Sequence, residues 1–337
     1  MPQPSLPGAF TRLRRALLAL GAALLAGATL QAQAQSQPAW PVKPVTIVVA
    51  FSPGGPNDVM ARILAAKLSA NLGQQFIVEN KVGAGGTIGT AQVAKAAADG
   101  YTLLFNSAPF VTAPALYGNR LSYDTLRDFT GVTKVAESPL ALMTATASPH
   151  KTLKGLIATA KMQPGKLNFG SGGVASTSHL AMALLGVTAG VELQHVPYKG
   201  GGQSITALMG GEIDVLLDSI TAGGSFLSAG RLRALAVTGT KRAAKAPDVP
   251  TFAEAGLPEF QMVHWVGLSA PAKTPAPVLD KLQAEVARAM AADDVKARFA
   301  ELGAEPTVTS RQQFDAFIKT EVERWTRVIR EARIQPE

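Results

Sequence analysis

The strongest constraint in the sequence is an apolar run that leads without a break into a turn-forming segment. Val45–Phe51 is apolar and β-branched, which predicts a strand buried on both faces. Ser52–Asp58 contains Pro and Gly and ends in two good N-cap residues, Asn57 and Asp58, before the periodic run Val59–Leu68 predicts a helix. A buried strand would therefore deliver a glycine loop to a helix N-terminus. Such a loop exposes backbone N–H groups beside the positive end of a helix dipole, which favours anion binding.

The first 34 residues predict a signal peptide. Three arginines between positions 12 and 15 precede a short apolar core over residues 16–28, and Ala32-Gln33-Ala34 gives a small-x-small cleavage pattern. The apolar core is shorter than the roughly 20 residues that a membrane-spanning helix needs. The alternative to a cleaved signal peptide is an N-terminal anchor that is retained. We expect a protein that is exported and cleaved near Ala34.

Composition excludes several classes of function. The net charge of +8 falls to +5 when the three arginines of the leader are removed, and no dense basic stripe is present, so nucleic-acid binding is not expected. The absence of cysteine excludes a disulfide framework, a lipid anchor on cysteine and thiol catalysis. With 47% hydrophobic residues in a chain of 337, a sizeable core can be buried.

The predicted elements that follow alternate between strands and helices. Strands are predicted at Gln75–Glu79 and Tyr101–Phe105, the second ending in Asn106 and Ser107. Between them, Gly83–Gly89 lacks the third glycine of a dinucleotide-binding fingerprint and instead predicts close packing of a loop on a helix. This alternation indicates a parallel, doubly wound α/β sheet.

The arrangement of the first loop recurs in the second half of the chain. A short strand, Leu167–Phe169, leads into the loop Gly170–Ser178, and a helix is predicted from His179 onward. Ser176 and Ser178 are candidate N-caps, and His179 is interpreted as a structural hydrogen-bonding residue. We therefore expect two anion-binding loops, each at the start of a helix.

Three further predictions concern the chain after residue 210. Ile213–Leu217 predicts a strand that ends at Asp218. Thr251–Glu254 has a capping-box pattern, which predicts the start of a helix. Ser310–Gln313 predicts a second capping box, at the start of a last amphipathic helix whose Glu321 is expected on the solvated side.

Enzyme chemistry is not indicated. The four histidines are far apart in the sequence and lack metal-ligand spacing, and neither a Gly-x-Ser-x-Gly elbow nor a phosphate-binding loop is present. No catalytic residue, metal or cofactor is therefore predicted. A hydrolase that uses a scattered Ser, His and Asp is the enzyme alternative, and turnover of an ester or amide would favour it.

Short motifs spread over the predicted mature chain resemble those of Bug-type receptors, the periplasmic solute-binding proteins of tripartite tricarboxylate transporters. The matching stretches are Phe51–Asp58, Gly83–Gly89, Asp99–Leu103, Pro164–Asn168, His195–Gly200, Gly230–Val237 and Pro247–Thr251. The resemblance implies a bilobed periplasmic-binding-protein-like fold, with two doubly wound α/β domains, two crossings and a ligand cleft between the domains. Domain 1 is expected at residues 38–139 plus 263–337, and domain 2 at residues 140–262.

The resemblance also implies where a ligand carboxylate is held. The two Gly/Ser loops would grip it through backbone amides and hydroxyls, Asn106 and Ser107 would form a third wall, and Asp218 would face the distal part of the ligand. The ligand-binding residues expected on this basis are Phe51, Ser52, Gly54, Gly55, Asn57, Asn106, Ser107, Ser171, Gly172, Ser176, Ser178 and Asp218. Asp58 is expected to cap the first helix and not to contact the ligand.

The function implied by the resemblance is capture of a small organic carboxylate and its delivery to the membrane permease subunits of a tripartite transporter. The receptor is expected to be a monomer without a cofactor. A receptor that reports its liganded state to a signalling partner is the alternative, and it would have the same fold. Only the partner would distinguish the two functions.

Overall fold

The computed structural model describes residues 40–335, so the predicted signal peptide lies outside the described residues. The chain divides into two units, residues 1–42 and 43–337, and only three residues of the first unit are described. All of the described helices and strands belong to the second unit. None of these helices is long and apolar enough to cross a membrane.

Strands and helices alternate through most of this unit. Its strands, in chain order, are β1 (Val45–Val49), β2 (Phe76–Asn80), β3 (Thr102–Ser107), β4 (Phe129–Ser138), β5 (Leu140–Ala145), β6 (Asn168–Ser171), β7 (Gln194–Pro197), β8 (Leu216–Ser219), β9 (Leu232–Val237), β10 (His264–Pro271) and β11 (Glu305–Pro306). Its α-helices are α1 (Pro56–Leu72), α2 (Thr87–Ala94), α3 (Ala108–Tyr117), α4 (Leu153–Met162), α5 (Thr177–Ala189), α6 (Gly201–Gly210), α7 (Ile220–Ser228), α8 (Ala276–Ala291), α9 (Asp293–Glu301) and α10 (Arg311–Glu331).

The larger sheet has six strands in the order β11-β4-β10-β3-β1-β2. β1 lies inside it, pairs in parallel with β2 and β3, and is buried on both faces as predicted. β10 pairs antiparallel with β3 and β4, so the sheet is mixed and not parallel throughout as the alternation suggests. The reason is that β10 enters the sheet from the long stretch after β9 and not through a helical crossover from a neighbouring parallel strand.

The residues between the two crossings form two smaller sheets. β5 lies between β8 and β9 and is antiparallel to both, whereas β6 and β7 pair in parallel. The chain thus leaves the six-stranded sheet just before Leu140 and returns to it just after Val263. The domain bounds expected at these positions stay a prediction, because residues 43–337 form one compact unit.

The helix after the first strand begins earlier than predicted. α1 starts at Pro56 with Gly55 as its N-cap, so Asp58 lies in the first turn and does not cap the helix. Proline favours this start because its missing N–H would have no acceptor at a first helical position in any case. α5, in contrast, has the predicted Ser176 as its N-cap.

Two local patterns have outcomes that the sequence does not predict. The capping-box hydrogen bonds between Thr251 and Glu254 both form, but only a turn follows because Gly256 (φ +96°) and Pro258 end it at once. α3 is not predicted, since Pro114 lies in its interior, where proline disfavours a helix. Pro109 is in fact tolerated because it lies in the first turn of the helix.

The last helix, α10, begins with the predicted capping box of Ser310 and Gln313. Its Glu321 is buried, so the expected solvated position is wrong. The carboxylate of Glu321 accepts a hydrogen bond from the indole N–H of Trp325 at 3.0 Å and another from Arg324 at 2.6 Å. A buried carboxylate with two donors is satisfied, which explains why it can lie among apolar neighbours.

Replacing Glu321 with Ala should lower the free energy of unfolding by about 1–3 kcal/mol, because the buried indole N–H of Trp325 would lose its acceptor. Urea denaturation monitored by circular dichroism would measure the change. Glu323→Ala is the matched control, since Glu323 is exposed on the same helix. A loss no larger than that of the control would contradict the assigned hydrogen bond.

Candidate ligand-binding site

One cavity is lined by both of the loops that the sequence singles out. The first loop, Ala50–Gly55, follows β1, and the second loop, Gly172–Ser176, follows β6. A cavity of about 340 Å³, here called the interloop cavity, lies between Ala50–Ser52 of the first loop and Val174–Ser176 of the second. Its volume suits a small ligand.

The rest of the cavity wall consists of neutral residues from the glycine-rich segment after β2 and from one face of α3. These residues are Val82, Gly83, Gly85, Gly86, Pro109, Thr112, Ala113, Leu116 and Tyr117. No acidic or basic side chain of residues 40–335 lines this cavity. An anion in the cavity would meet hydroxyls and backbone N–H groups, and no carboxylate in the wall would repel it.

Two helix N-termini border the interloop cavity. Ser176, in the wall, is the N-cap of α5, and Pro109, also in the wall, lies in the first turn of α3. The backbone N–H groups of Thr177 and Ser178 begin α5 and have no acceptor within that helix. Helix N-termini favour anions, so these two ends make an anion the expected ligand charge without a cationic side chain in the described wall.

Asp58 anchors the first loop from behind. Its buried carboxylate accepts the N–H of Gly54 at 2.8 Å, the side-chain amide of Asn80 at 2.8 Å and the guanidinium of Arg62 at 3.0 Å. Burial alone would raise the pKa of Asp58, but the hydrogen bonds from Arg62, Gly54 and Asn80 outweigh it and hold this pKa below its ordinary value. The N–H of Gly54 is thus committed to Asp58, and Phe51 and Ser52 carry the loop's contribution to the cavity wall.

Neither residue of the expected third wall, Asn106 or Ser107, lines the cavity. The side-chain amide of Asn57 donates to Ser107 Oγ at 3.2 Å, which joins the start of α1 to the end of β3. Asn106 is buried in the sheet, where its amide donates to Ser269 Oγ at 2.8 Å. Ser107 therefore contacts the start of α1, Asn106 contacts β10, and the cavity wall on this side comes from α3.

Hydroxyl groups close the second loop on itself. Ser176 Oγ accepts the N–H of His179 at 3.3 Å and lies 3.2 Å from Ser178 Oγ. Ser178 Oγ accepts the N–H of Gly172 at 3.0 Å. Of these predicted ligand contacts, Ser176 lies in the cavity wall, whereas Gly172 and Ser178 lie behind it and support the loop.

Two histidines also contact the second loop. Nδ1 of His179 accepts the N–H of Ala175 at 3.0 Å, which is the structural role predicted for His179. Nε2 of His195 lies 2.6 Å from the oxygen of the fully buried Ser171. The two imidazoles stack with their centroids 3.7 Å apart. Burial and, secondarily, His195 lower the pKa of His179 to about 4, and burial also lowers the pKa of His195.

Asp218 lies in β8, which extends one residue beyond the predicted end to Ser219, and it is close to the start of α6. A Cβ atom added to Gly201 would come within 3.0 Å of the Asp218 carboxylate, and the backbone of Gly172 approaches the same turn. Burial raises the pKa of Asp218, against the effect of the Ser219 N–H, which donates to it at 2.7 Å. Asp218 therefore adjoins the second loop without lining the interloop cavity.

Several wall residues are missed by sequence reasoning. Val174 and Ala175 are apolar members of a polar loop, and Thr112 and Tyr117 belong to the unpredicted helix α3. The available signal is Ser107 followed by proline two positions later, which is typical of a helix start. For Gly83–Gly89 the sequence predicts only loop–helix packing. Gly89 does pack against Lys81, but three glycines of this segment also line the cavity.

A larger groove, about 1000 Å³, is lined by His179 and His195 together with residues of α4, α5, β7 and the end of α10. Its charged or titratable residues, besides the two histidines, are Lys161, Glu192, Glu331 and Arg333. None of the twelve predicted ligand-binding residues lines this groove. The interloop cavity is the better candidate because it is lined by both loops.

The geometry argues against hydrolase chemistry. Among the described residues near the cavity, a serine hydroxyl contacts a histidine ring nitrogen at Ser171 and His195, but Ser171 is fully buried and its hydroxyl also contacts Gly173. The ring of His195 stacks on another histidine, and no carboxylate hydrogen-bonded to it is found among the described residues. In residues 40–335, no cluster of three or more possible metal ligands occurs either.

Two loops from separate sheets around one small, uncharged cavity define a bilobed solute-binding protein of the periplasmic type. The chain belongs to the tripartite tricarboxylate transporter receptor family, whose family model matches residues 60–334. Its relatives include a UPF0065 protein of Pseudomonas sp. strain P51, 40% identical over 95% of both chains. Another is BugT of Bordetella pertussis, 37% identical over 87% of this chain and 90% of BugT.

Solved structures support the same assignment. Rpa4515 of Rhodopseudomonas palustris with adipate has a TM-score of 0.74 and 35% identity, covering 88% of this chain and 100% of that one. MatC of the same organism with malate has a TM-score of 0.70 and 36% identity, covering 86% and 100%. The periplasmic binding protein BugD has a TM-score of 0.71 and 35% identity, covering 88% and 100%. The chain is accordingly a solute-binding receptor of the Bug type and not an enzyme.

The stability of the protein should fall as the pH is lowered from 7 to 4.5. His179 has its ordinary pKa of 6.5 when unfolded and a pKa of about 4 when folded. As the pH falls, the unfolded state therefore binds a proton before the folded state does, and the free energy of unfolding decreases. The expected contribution of this residue is about 2 kcal/mol. Urea denaturation at both pH values should show a smaller loss for His179→Asn, which cannot titrate, and equal losses would contradict the assigned shift.

Proposed function

We propose that this receptor is exported to the periplasm, captures a small organic carboxylate in the interloop cavity and delivers it to the permease subunits of a tripartite transporter. The observation that carries the proposal is one cavity walled by both Gly/Ser loops. The family supports the transport role, and adipate and malate in the related structures support the ligand class.

The cavity has the properties that carboxylate capture requires. Ser52, Thr112, Tyr117 and Ser176 offer hydroxyls, and the start of α5 offers N–H groups. A helix N-terminus contributes roughly 0.3–1 kcal/mol and each charge-assisted hydrogen bond roughly 1.5–3 kcal/mol. After ordering costs, these terms are sufficient for micromolar affinity, about −8 kcal/mol.

The remaining parts of the proposal concern the whole molecule. We place the cavity between a lobe of residues 38–139 plus 263–337 and a lobe of residues 140–262. The sheets follow this division, since strands β5 to β9 all lie in the second lobe. The mature receptor would begin near Gln35 and act as a monomer.

A thermal-shift screen of organic acids tests the ligand class. An acid at 100 times its dissociation constant should stabilise the protein by about 2.7 kcal/mol and raise its melting temperature by several degrees. Malate, adipate, succinate and citrate are the first acids to test, and adipamide is the control because it has the length of adipate without its charge. A shift with adipamide equal to that with adipate, or no shift with any acid at millimolar concentration, would contradict carboxylate capture.

Ser52→Ala tests whether the interloop cavity is the site. The Ser52 hydroxyl makes no hydrogen bond to the rest of the described chain and lines the cavity, so its loss should weaken binding about fivefold, or 1 kcal/mol, without changing stability. Isothermal titration with the acid found in the screen would measure the affinity. Ser122→Ala is the control, since Ser122 is an exposed serine that does not line the cavity. Equal affinities for both variants would place the ligand hydroxyl contacts elsewhere.

A further inference from the structure

We propose that His179 and His195 are positioning residues that hold the second loop in its ligand-binding conformation. The inference rests on the proposed function, because it assigns a purpose to the shape of a wall of the interloop cavity. Neither ring lines that cavity, so neither is expected to touch the ligand. Their effect on binding would act through Ala175 and Ser171.

The second loop contains a strained backbone position. Ala175 has φ +59°, in the left-handed region that a residue with a Cβ atom rarely adopts. It lies in the cavity wall between Val174 and Ser176. A strained residue persists only where its surroundings hold it, so the contacts of Ala175 decide the shape of this wall.

His179 supplies the contact that holds Ala175. Nδ1 of His179 accepts the Ala175 N–H at 3.0 Å, and the backbone N–H of His179 donates to Ser176 Oγ at 3.3 Å. The ring belongs to the first turn of α5 and is 8% exposed, so the helix and its burial fix its position. Because Nδ1 accepts a backbone N–H, the ring must be neutral and carry its proton on Nε2.

His195 holds the other end of the loop. Its Nε2 lies 2.6 Å from Ser171 Oγ, and the same hydroxyl accepts the N–H of Gly173 at 3.1 Å. Phe169, His195 and His179 form one stack, with centroids 4.9 Å apart for the first pair and 3.7 Å for the second. The stack joins β6, β7 and α5, so the two ends of the second loop are held by rings that support each other.

Amide-substituted variants of His179 distinguish positioning from packing. The side-chain oxygen of Asn occupies the place of Nδ1 and can accept the Ala175 N–H, whereas the amide of Gln reaches the place of Nε2. We therefore expect His179→Asn to keep the hydrogen bond to the Ala175 N–H and the ligand affinity. His179→Gln and His179→Ala should lose both. His150→Asn is the matched control, because His150 is buried but makes only backbone hydrogen bonds.

The first measurement uses the full-length mature protein without ligand. Hydrogen exchange of the Ala175 amide, followed by NMR, should be at least tenfold faster in the Gln and Ala variants, because the amide loses its acceptor. Exchange in the Asn variant should stay within about threefold of the wild type. Melting temperatures would verify that all variants fold. Equal exchange for the Asn and Gln variants would overturn the inference, since a packing role affects both alike.

The second measurement is the affinity for malate and adipate by isothermal titration. The Gln and Ala variants should bind at least fivefold more weakly than the wild type, and the Asn variant should recover most of the affinity. A result in which the Ala175 amide exchanges in the predicted order while all variants bind the acids equally would refute the proposal that His179 positions the loop for ligand binding. If the wild type binds no acid, the carboxylate function fails, and the exchange comparison still decides whether His179 holds the loop.

Discussion

A loop can offer backbone N–H groups to a ligand only if its conformation is fixed. Otherwise the loop can rearrange and use the same N–H groups in its own hydrogen bonds. Both loops of this receptor meet that constraint by committing some amides to fixed internal acceptors. Asp58 accepts the N–H of Gly54, Ser178 accepts the N–H of Gly172, and His179 accepts the N–H of Ala175. The amides that begin α5 remain outside these internal bonds. The shape of the interloop cavity depends on this division between structural and available donors.

The two loops are held in place by different chemical groups. The first loop is held by an ion pair and hydrogen bonds at one buried carboxylate, whose charge is balanced by Arg62. The second loop is held by hydroxyls and by the two stacked imidazoles, without an ion pair in the part of the chain that the structure describes. Asp218, which adjoins this loop, forms no salt bridge with any described residue. Negative charge is thus kept behind the first loop and out of the cavity wall, which leaves the potential of the helix ends unopposed there.

Much of this arrangement can be predicted from local sequence. The strand, the glycine loop and the helix start at Val45–Leu68 are local signals, and both family motifs and anion chemistry point to the same two loops. The bilobed α/β fold is confirmed by the structural neighbours. The orientation of β10 could not be predicted, because it depends on a partner strand more than 150 residues away in the chain. The burial of Glu321 likewise depends on the indole N–H of Trp325, which a helical pattern alone does not reveal.

The site itself shows where prediction from sequence stops. The choice between the Gly54 amide as a ligand donor and as a partner of Asp58 depends on a side chain four residues away whose position only the fold defines. The same holds for Ala175, an apolar residue that no chemical rule would select, yet one that lies in the cavity wall. Helix α3 adds a further wall, which the sequence does not predict because Pro114 lies in the interior of the helix. Local chemistry finds the loops, and packing decides which atoms of those loops remain available.

The neutral lining of the interloop cavity has an evolutionary consequence. Every residue except proline has a backbone N–H group. A ligand carboxylate that binds to backbone N–H groups therefore does not depend on the identity of the side chains at those positions. Under the proposed function, exchanges at Ala113 or Val174 would alter the length and polarity of the accepted molecule, while the backbone N–H groups at the start of α5 would remain. A scaffold of this kind can diversify its cargo by single substitutions without first losing the capacity to bind.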